Sequence, residues 1–180
     1  MAYTLQQLSD FEDIRTLKHR YFRCIDTASA KELAALFTDN VTVEYRGGDY
    51  VVRLKGLANM LEFLANSFNS DAVAMHHGHM PEITLTGPDT AEGIWYLEDV
   101  FINLENRTRT FGSAIYRDRY RRVNGTWKIE DTQYDRIIEV VDPLPDDVEI
   151  TAHYLAQHGR KPSERTDNSR FLIWATQSQH

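Results

Sequence analysis

Apolar residues fall at Leu8, Phe11, Ile14, Leu17, Tyr21 and Ile25, in steps of three or four, which predicts an amphipathic helix. Ser9 is the expected N-cap, with Asp10, Glu12 and Asp13 in the first turn, and Asp26 closes the helix at the end of the apolar stripe. Ser29 to Glu32 reads as a capping box for a short second helix through Leu33, Leu36 and Phe37, broken by Thr38-Asp39-Asn40. Val41–Tyr45 then alternates like a strand, Gly47-Gly48-Asp49 turns, and Tyr50–Leu54 returns. Gly56 precedes a third helix carrying Met60, Leu61, Leu64 and Phe68. Long alternating runs follow over 75–85, 91–103, 111–122 and 127–138, with Asn124-Gly125 the strongest hairpin signal. Helices first and consecutive strands later predict an α+β domain built on one curved antiparallel sheet. After Asp142 the composition changes to a Pro- and charge-rich segment, expected to pack loosely except where Phe171 to Trp174 could dock.

Charge and composition narrow the partners. The 180 residues carry a net charge of −7, which argues against nucleic acid and against an anionic membrane. Arg117, Arg119, Arg121 and Arg122 are read as a solvated strand surface. The single cysteine, Cys24, allows no internal disulfide and sits in a helix where thiols are inert. The first residues show no signal-peptide pattern, and no apolar run nears the ~20 residues of a membrane helix. A cytoplasmic protein is the expectation. Eight Phe, nine Tyr and three Trp suffice to line a cavity for a flat ligand as well as to fill a core.

Candidate chemistry lies in the strand segment Met75-His-His-Gly-His79. Alternation puts His77 and His79 on one face and His76 on the other. A metal site would need His77 and His79 plus a carboxylate, and no second motif completes one, so no metal is expected. His76 suits a base if a carboxylate reaches it. Asp26, at the end of a buried stripe, and Asp99, alternating with Leu97 and Phe101, are the two carboxylates that would face apolar neighbours. Tyr21 and Tyr45 are phenols on inward faces, and Arg136 occurs in the last strand. Spacing alone leaves each of these open to a purely structural role.

Three segments carry a resemblance: Lys18-His-Arg-Tyr-Phe-Arg-Cys-Ile-Asp26, Met75 to Thr84, and Gly93-Ile-Trp-Tyr-Leu-Glu-Asp99. They resemble the bile acid 7α-dehydratases of the SnoaL-like branch of the NTF2-like superfamily, with scytalone dehydratase and hexachlorocyclohexane dehydrochlorinase as more distant relatives. The resemblance covers roughly residues 10–140. It implies an NTF2-like (cystatin-like) cone over residues 1–142, a sheet wrapped around helices, with residues 143–180 as an extension packed on or near it. It implies Tyr21, Asp26, His76, Asp99 and Arg136 as catalytic residues, and Tyr45, Trp95 and Tyr116 as substrate-binding aromatics. The implied activity is a cofactor-free hydro-lyase acting on a hydrophobic polycyclic ketone, steroid or bile-acid-like, free or as a coenzyme A thioester, in a homotrimer. Related eliminations, isomerisations or cyclisations on aromatic ketones, and a non-catalytic subunit of a ring-hydroxylating dioxygenase, stay open as alternatives. The chain departs from the bile acid enzymes in its long extension beyond Arg136, in the extra histidine at 77 and in a shortened loop at 105–110.

Overall fold

The computed structural model describes residues 2–175. The first helix, α1 (Leu5–Asp26), starts one turn before the expected cap. Thr4, not Ser9, is the N-cap: its hydroxyl accepts from the Gln7 amide at 3.2 Å, and the Gln7 side chain accepts from the Thr4 amide at 2.9 Å. Leu5 and Leu8 are exposed, so the apolar stripe begins only where α1 meets the sheet, at Phe11. The second helix, α2 (Ala30–Ala35), lacks the expected capping box. Arg23 holds Glu32 at 2.7 Å, and Ser29 donates to the same carboxylate instead of capping the backbone.

The strands are β1 (Phe37–Arg46), β2 (Tyr50–Lys55), β3 (Ala72–Gly87), β4 (Thr90–Asn103), β5 (Thr108–Val123) and β6 (Thr126–Pro143), with α3 (Leu57–Ser67) between β2 and β3. Residues 38–40, expected as a break, belong to β1: the strand starts at Phe37 and absorbs them as an irregularity against β6. With β7 (Leu172–Trp174) as the last strand, the sheet order is β3-β4-β5-β6-β1-β2-β7, unclosed and antiparallel except for the β1–β6 pair. β3 to β6 run 14 to 18 residues, far beyond the mean strand of ~5–6, and such lengths must bend. Register shifts at His79/Glu82, Ser113/Ala114 and Arg119/Tyr120 supply the bends. The result is the α+β domain on one curved sheet expected from the element order, in the cone form that the resemblance implies.

Each long strand serves two regions. Trp95 and Leu97 of β4 pack on the buried side of α1, together with Ala114, Tyr116 and Ile129. Beyond them Asp99, Phe101 and Asn103 wall a cavity. Between α1 and the sheet, the fully buried Lys18 ammonium pairs with Asp118 at 2.8 Å and lies 3.6 Å from the Tyr116 ring centroid. Asp118 also accepts from Tyr120, which accepts from Trp95 Nε1 at 2.8 Å.

Residues 143–175 are tied down, contrary to the loose packing their composition suggests. They form α4 (Leu155–His158), two short 3₁₀ turns and β7, which pairs antiparallel with β2. Arg160 pairs with Glu62, and Arg165 with Glu105 and Asp71. Asn66 of α3 binds Thr166, Asn168 and Arg160, and Leu155 and Phe171 are buried. Among the described residues no helix is long and apolar enough to cross a membrane.

Candidate active site

An open cavity of about 450 Å³ lies between α1, α3 and the far halves of β4 to β6. His76 reaches it from the inward face of β3, and Asp26, in the last turn of α1, stands behind His76. The Asp26 carboxylate uses both oxygens on one residue. Oδ1 lies 2.6 Å from His76 Nδ1, and Oδ2 accepts from the His76 backbone amide at 3.0 Å. A carboxylate only accepts, so the neutral imidazole carries its proton on Nδ1 and presents the Nε2 lone pair. Among the described residues Nε2 has no protein partner. Phe22 stacks parallel to the ring and Phe68 meets it edge-on, which fixes its plane. The strand can approach α1 because residue 78 is glycine: a Cβ there would lie 2.2 Å from the Phe22 ring.

Opposite stands a wall of phenols. Tyr21 and Tyr45 share a hydrogen bond of 3.0 Å, and Tyr50 and Tyr134 one of 2.9 Å. Tyr45 stacks on Tyr134 at 4.5 Å, and Tyr116 meets both rings edge-on. Burial pushes the hydroxyls of Tyr21, Tyr45, Tyr116 and Tyr134 well above the usual phenol range, so they stay protonated and can donate. Within either hydroxyl pair one proton closes the internal bond, and the second hydroxyl keeps a proton to donate elsewhere.

The third part is acidic. Asp99 grips the Arg136 guanidinium with both oxygens, one at 2.8 Å, and Glu139 lies 3.0 Å from Arg136 Nε. Burial opposes the charge on Arg136, but the Asp99 hydrogen bonds outweigh it and hold its pKa above the ordinary arginine value. Two carboxylates thus occupy this cation.

Of the residues singled out from sequence, Tyr21, Tyr45, His76, Asp99, Tyr116 and Arg136 line one cavity, with Asp26 directly behind His76. Trp95 does not. It is fully buried beneath α1, and its indole proton is spent on Tyr120, so its assignment to substrate binding is corrected. Tyr50, Tyr134, Phe68, Glu139 and Trp174 line the cavity without having been singled out. Tyr134 was within reach of sequence reasoning, because it lies two residues before Arg136 on the same strand face.

Helices held inside a curved, unclosed seven-stranded sheet, with a cavity at the end, define the NTF2-like class of α+β cones. The chain belongs to the SnoaL-like domain family, whose model matches residues 6–133. Its fold is shared with a type 2 hexachlorocyclohexane dehydrochlorinase, LinA, at 19% identity and TM-score 0.70, covering 82% of this chain and 97% of that one. A Novosphingobium aromaticivorans protein assigned as a scytalone dehydratase matches at 19% identity and TM-score 0.64, over 82% and 93% of the two chains. Another from that organism, assigned as an aromatic ring hydroxylase, matches at 21% identity and TM-score 0.67, over 76% and 94%.

Proposed function

We propose that the chain is a cofactor-independent dehydratase that eliminates water from a hydroxylated polycyclic ketone, with a steroid-like ring system as the substrate class. The observation that carries this reading is the Asp26–His76 pair, whose 2.6 Å bond orients an imidazole with Nε2 free at a cavity wall. In the proposed reaction Nε2 takes a C–H proton made acidic by the carbonyl, directly or through a conjugated double bond. A phenol of the Tyr21–Tyr45 pair donates to the enolate oxygen as charge develops there. The imidazolium, stabilised by Asp26, then returns the proton to the departing hydroxyl, the C–O bond breaks and the new C=C bond forms. The carbonyl itself delocalises the charge, so the residues named suffice.

Arg136 and Asp99 fit this scheme as a positioning pair. With Asp99 and Glu139 both on its guanidinium, Arg136 is poorly placed to bind a substrate carboxylate, which favours an uncharged ring system deep in the cavity. About 450 Å³ is within the usual range for a small-molecule site. The same dyad would serve related eliminations, and the relatives by fold include a dehydrochlorinase. The oriented imidazole and a cavity that no side chain plugs speak against a non-catalytic subunit.

The test is an absorbance assay with a 7α-hydroxy-3-oxo-Δ4 steroid, offered as a neutral compound, a free acid and a coenzyme A thioester. Dehydration extends the conjugated enone and moves its absorption to longer wavelength. Turnover that His76→Ala reduces by ~10²–10⁴ supports both the reaction class and the base. A folded protein inert on all three forms would overturn the steroid assignment.

A further inference from the structure

The outward face of β3 carries chemistry that the cavity does not use. His77 and His79 flank Gly78 on this face, and the β3–β4 register sets His77 directly opposite Glu98. One ligand atom from each of His77, His79 and Glu98 lies within 4.8 Å of the other two. His79 Nε2 is already 3.6 Å from the Glu98 carboxylate. All three side chains are exposed and can rotate, while the strands beneath them are fixed by a continuous ladder from residue 72 to residue 79.

We propose that His77, His79 and Glu98 bind a divalent transition-metal cation, Zn²⁺ or a neighbour in the first row, on the convex side of the sheet. The donor set is two neutral imidazoles and one carboxylate, which suits such ions far better than Ca²⁺ or Mg²⁺. A cation at ~2.0–2.2 Å from each donor would draw the three atoms to separations of about 3.3 Å, a shift that side-chain rotation alone supplies. Three ligands leave a fourth position for water or an outside donor. The site is distinct from the cavity, because alternation sends His76 through the sheet to the other side. A metal here would clamp β3 to β4 at the strand position next to the Asp26-bound histidine.

Titration of the chelator-treated full chain with Zn²⁺, followed by calorimetry, tests this. One cation per chain is expected, with a dissociation constant in the micromolar range. Co²⁺ should give visible bands of a low-coordinate site with nitrogen and oxygen donors. His77→Ala and Glu98→Gln should each weaken binding by roughly tenfold or more. These side chains are exposed, so circular dichroism of the variants should remain that of the parent chain. His158→Ala, remote from the trio, should leave the affinity unchanged. Absence of binding up to millimolar Zn²⁺ would overturn the proposal. So would binding that survives His77→Ala but is lost in Asp26→Asn, which would put the cation in the cavity. Neither result depends on whether the chain is a dehydratase.

Discussion

Asp26 commits its two oxygens to two donors of one residue, the ring and the backbone amide of His76. Asparagine offers one acceptor and one NH₂ group in the same space. If its oxygen keeps the backbone amide, its NH₂ faces Nδ1 and forces the ring proton onto Nε2, which abolishes the base. Asp26→Asn is therefore expected to lower kcat/KM by ~10²–10⁴ with the urea midpoint little changed, as read by steady-state assay beside equilibrium unfolding. The carboxylate was legible in the sequence as a costly residue on an apolar stripe. Its partner came only through the family resemblance: spacing left Asp26 and Asp99 both open as the carboxylate for His76, because residues 26 and 76 meet only once β3 lies against α1. Trp95 shows the reverse limit: alternation marks a strand tryptophan as inward, and cannot say whether inward means cavity or core.

At the scale of elements, β3 and β6 show how strand geometry selects the site. Gly78 is the close-approach point between β3 and α1, and an added Cβ would meet the Phe22 ring at 2.2 Å. Gly78→Ala is expected to destabilise the fold by ~1–3 kcal/mol and to lower kcat, since Phe22 also stacks on His76, measured by urea unfolding and turnover together. In β6 the register shifts between Ser113/Ala114 and their partners, so Ala114 faces Arg136 while Ser113 faces Ile138. Ile137 is the extra residue, and the bulge reverses the alternation beyond it. Glu139 therefore turns inward, where a strict period of two counted from Arg136 would have placed residue 138 or 140. That is why the second carboxylate on Arg136 was illegible.

The contact between α3 and the C-terminal segment has its own pH signature. The Glu62 carboxyl is held down to about 2 from its ordinary 4.5, first by Arg160 and then by Thr166. Its folded-state pKa is depressed, so its contribution is fully present above the unfolded value and is lost as pH falls through the folded one. The stability difference between the parent chain and Glu62→Gln should be constant above about pH 5.5 and shrink progressively as pH falls toward about 2, as read by urea unfolding across that range.

On the scale of the whole molecule, residues 143–175 complete the site as well as extend the chain. β7 adds a strand beside β2, and Asn168, Leu172 and Trp174 join the cavity wall. Trp174 is 63% exposed and meets Tyr50 edge-on at 6.1 Å. Its truncation should therefore cost little stability and act on binding. Trp174→Ala is expected to raise KM by roughly fivefold, equivalent to about 1 kcal/mol, with kcat nearly unchanged. A similar fall in kcat would instead assign Trp174 to the reacting end of the cavity.

The order of elements, the inward faces of α1 and β4, and the pairing of Asn124-Gly125 into a hairpin were determined by local pattern, because helical and strand periodicities and turn chemistry act over a few residues. Which carboxylate meets His76, the joint hold of Asp99 and Glu139 on Arg136, and the pairing of the last strand with β2 were decided by tertiary structure. Each depends on where bulged strands bend and which distant surfaces that bend brings into contact, and no short-range pattern encodes that.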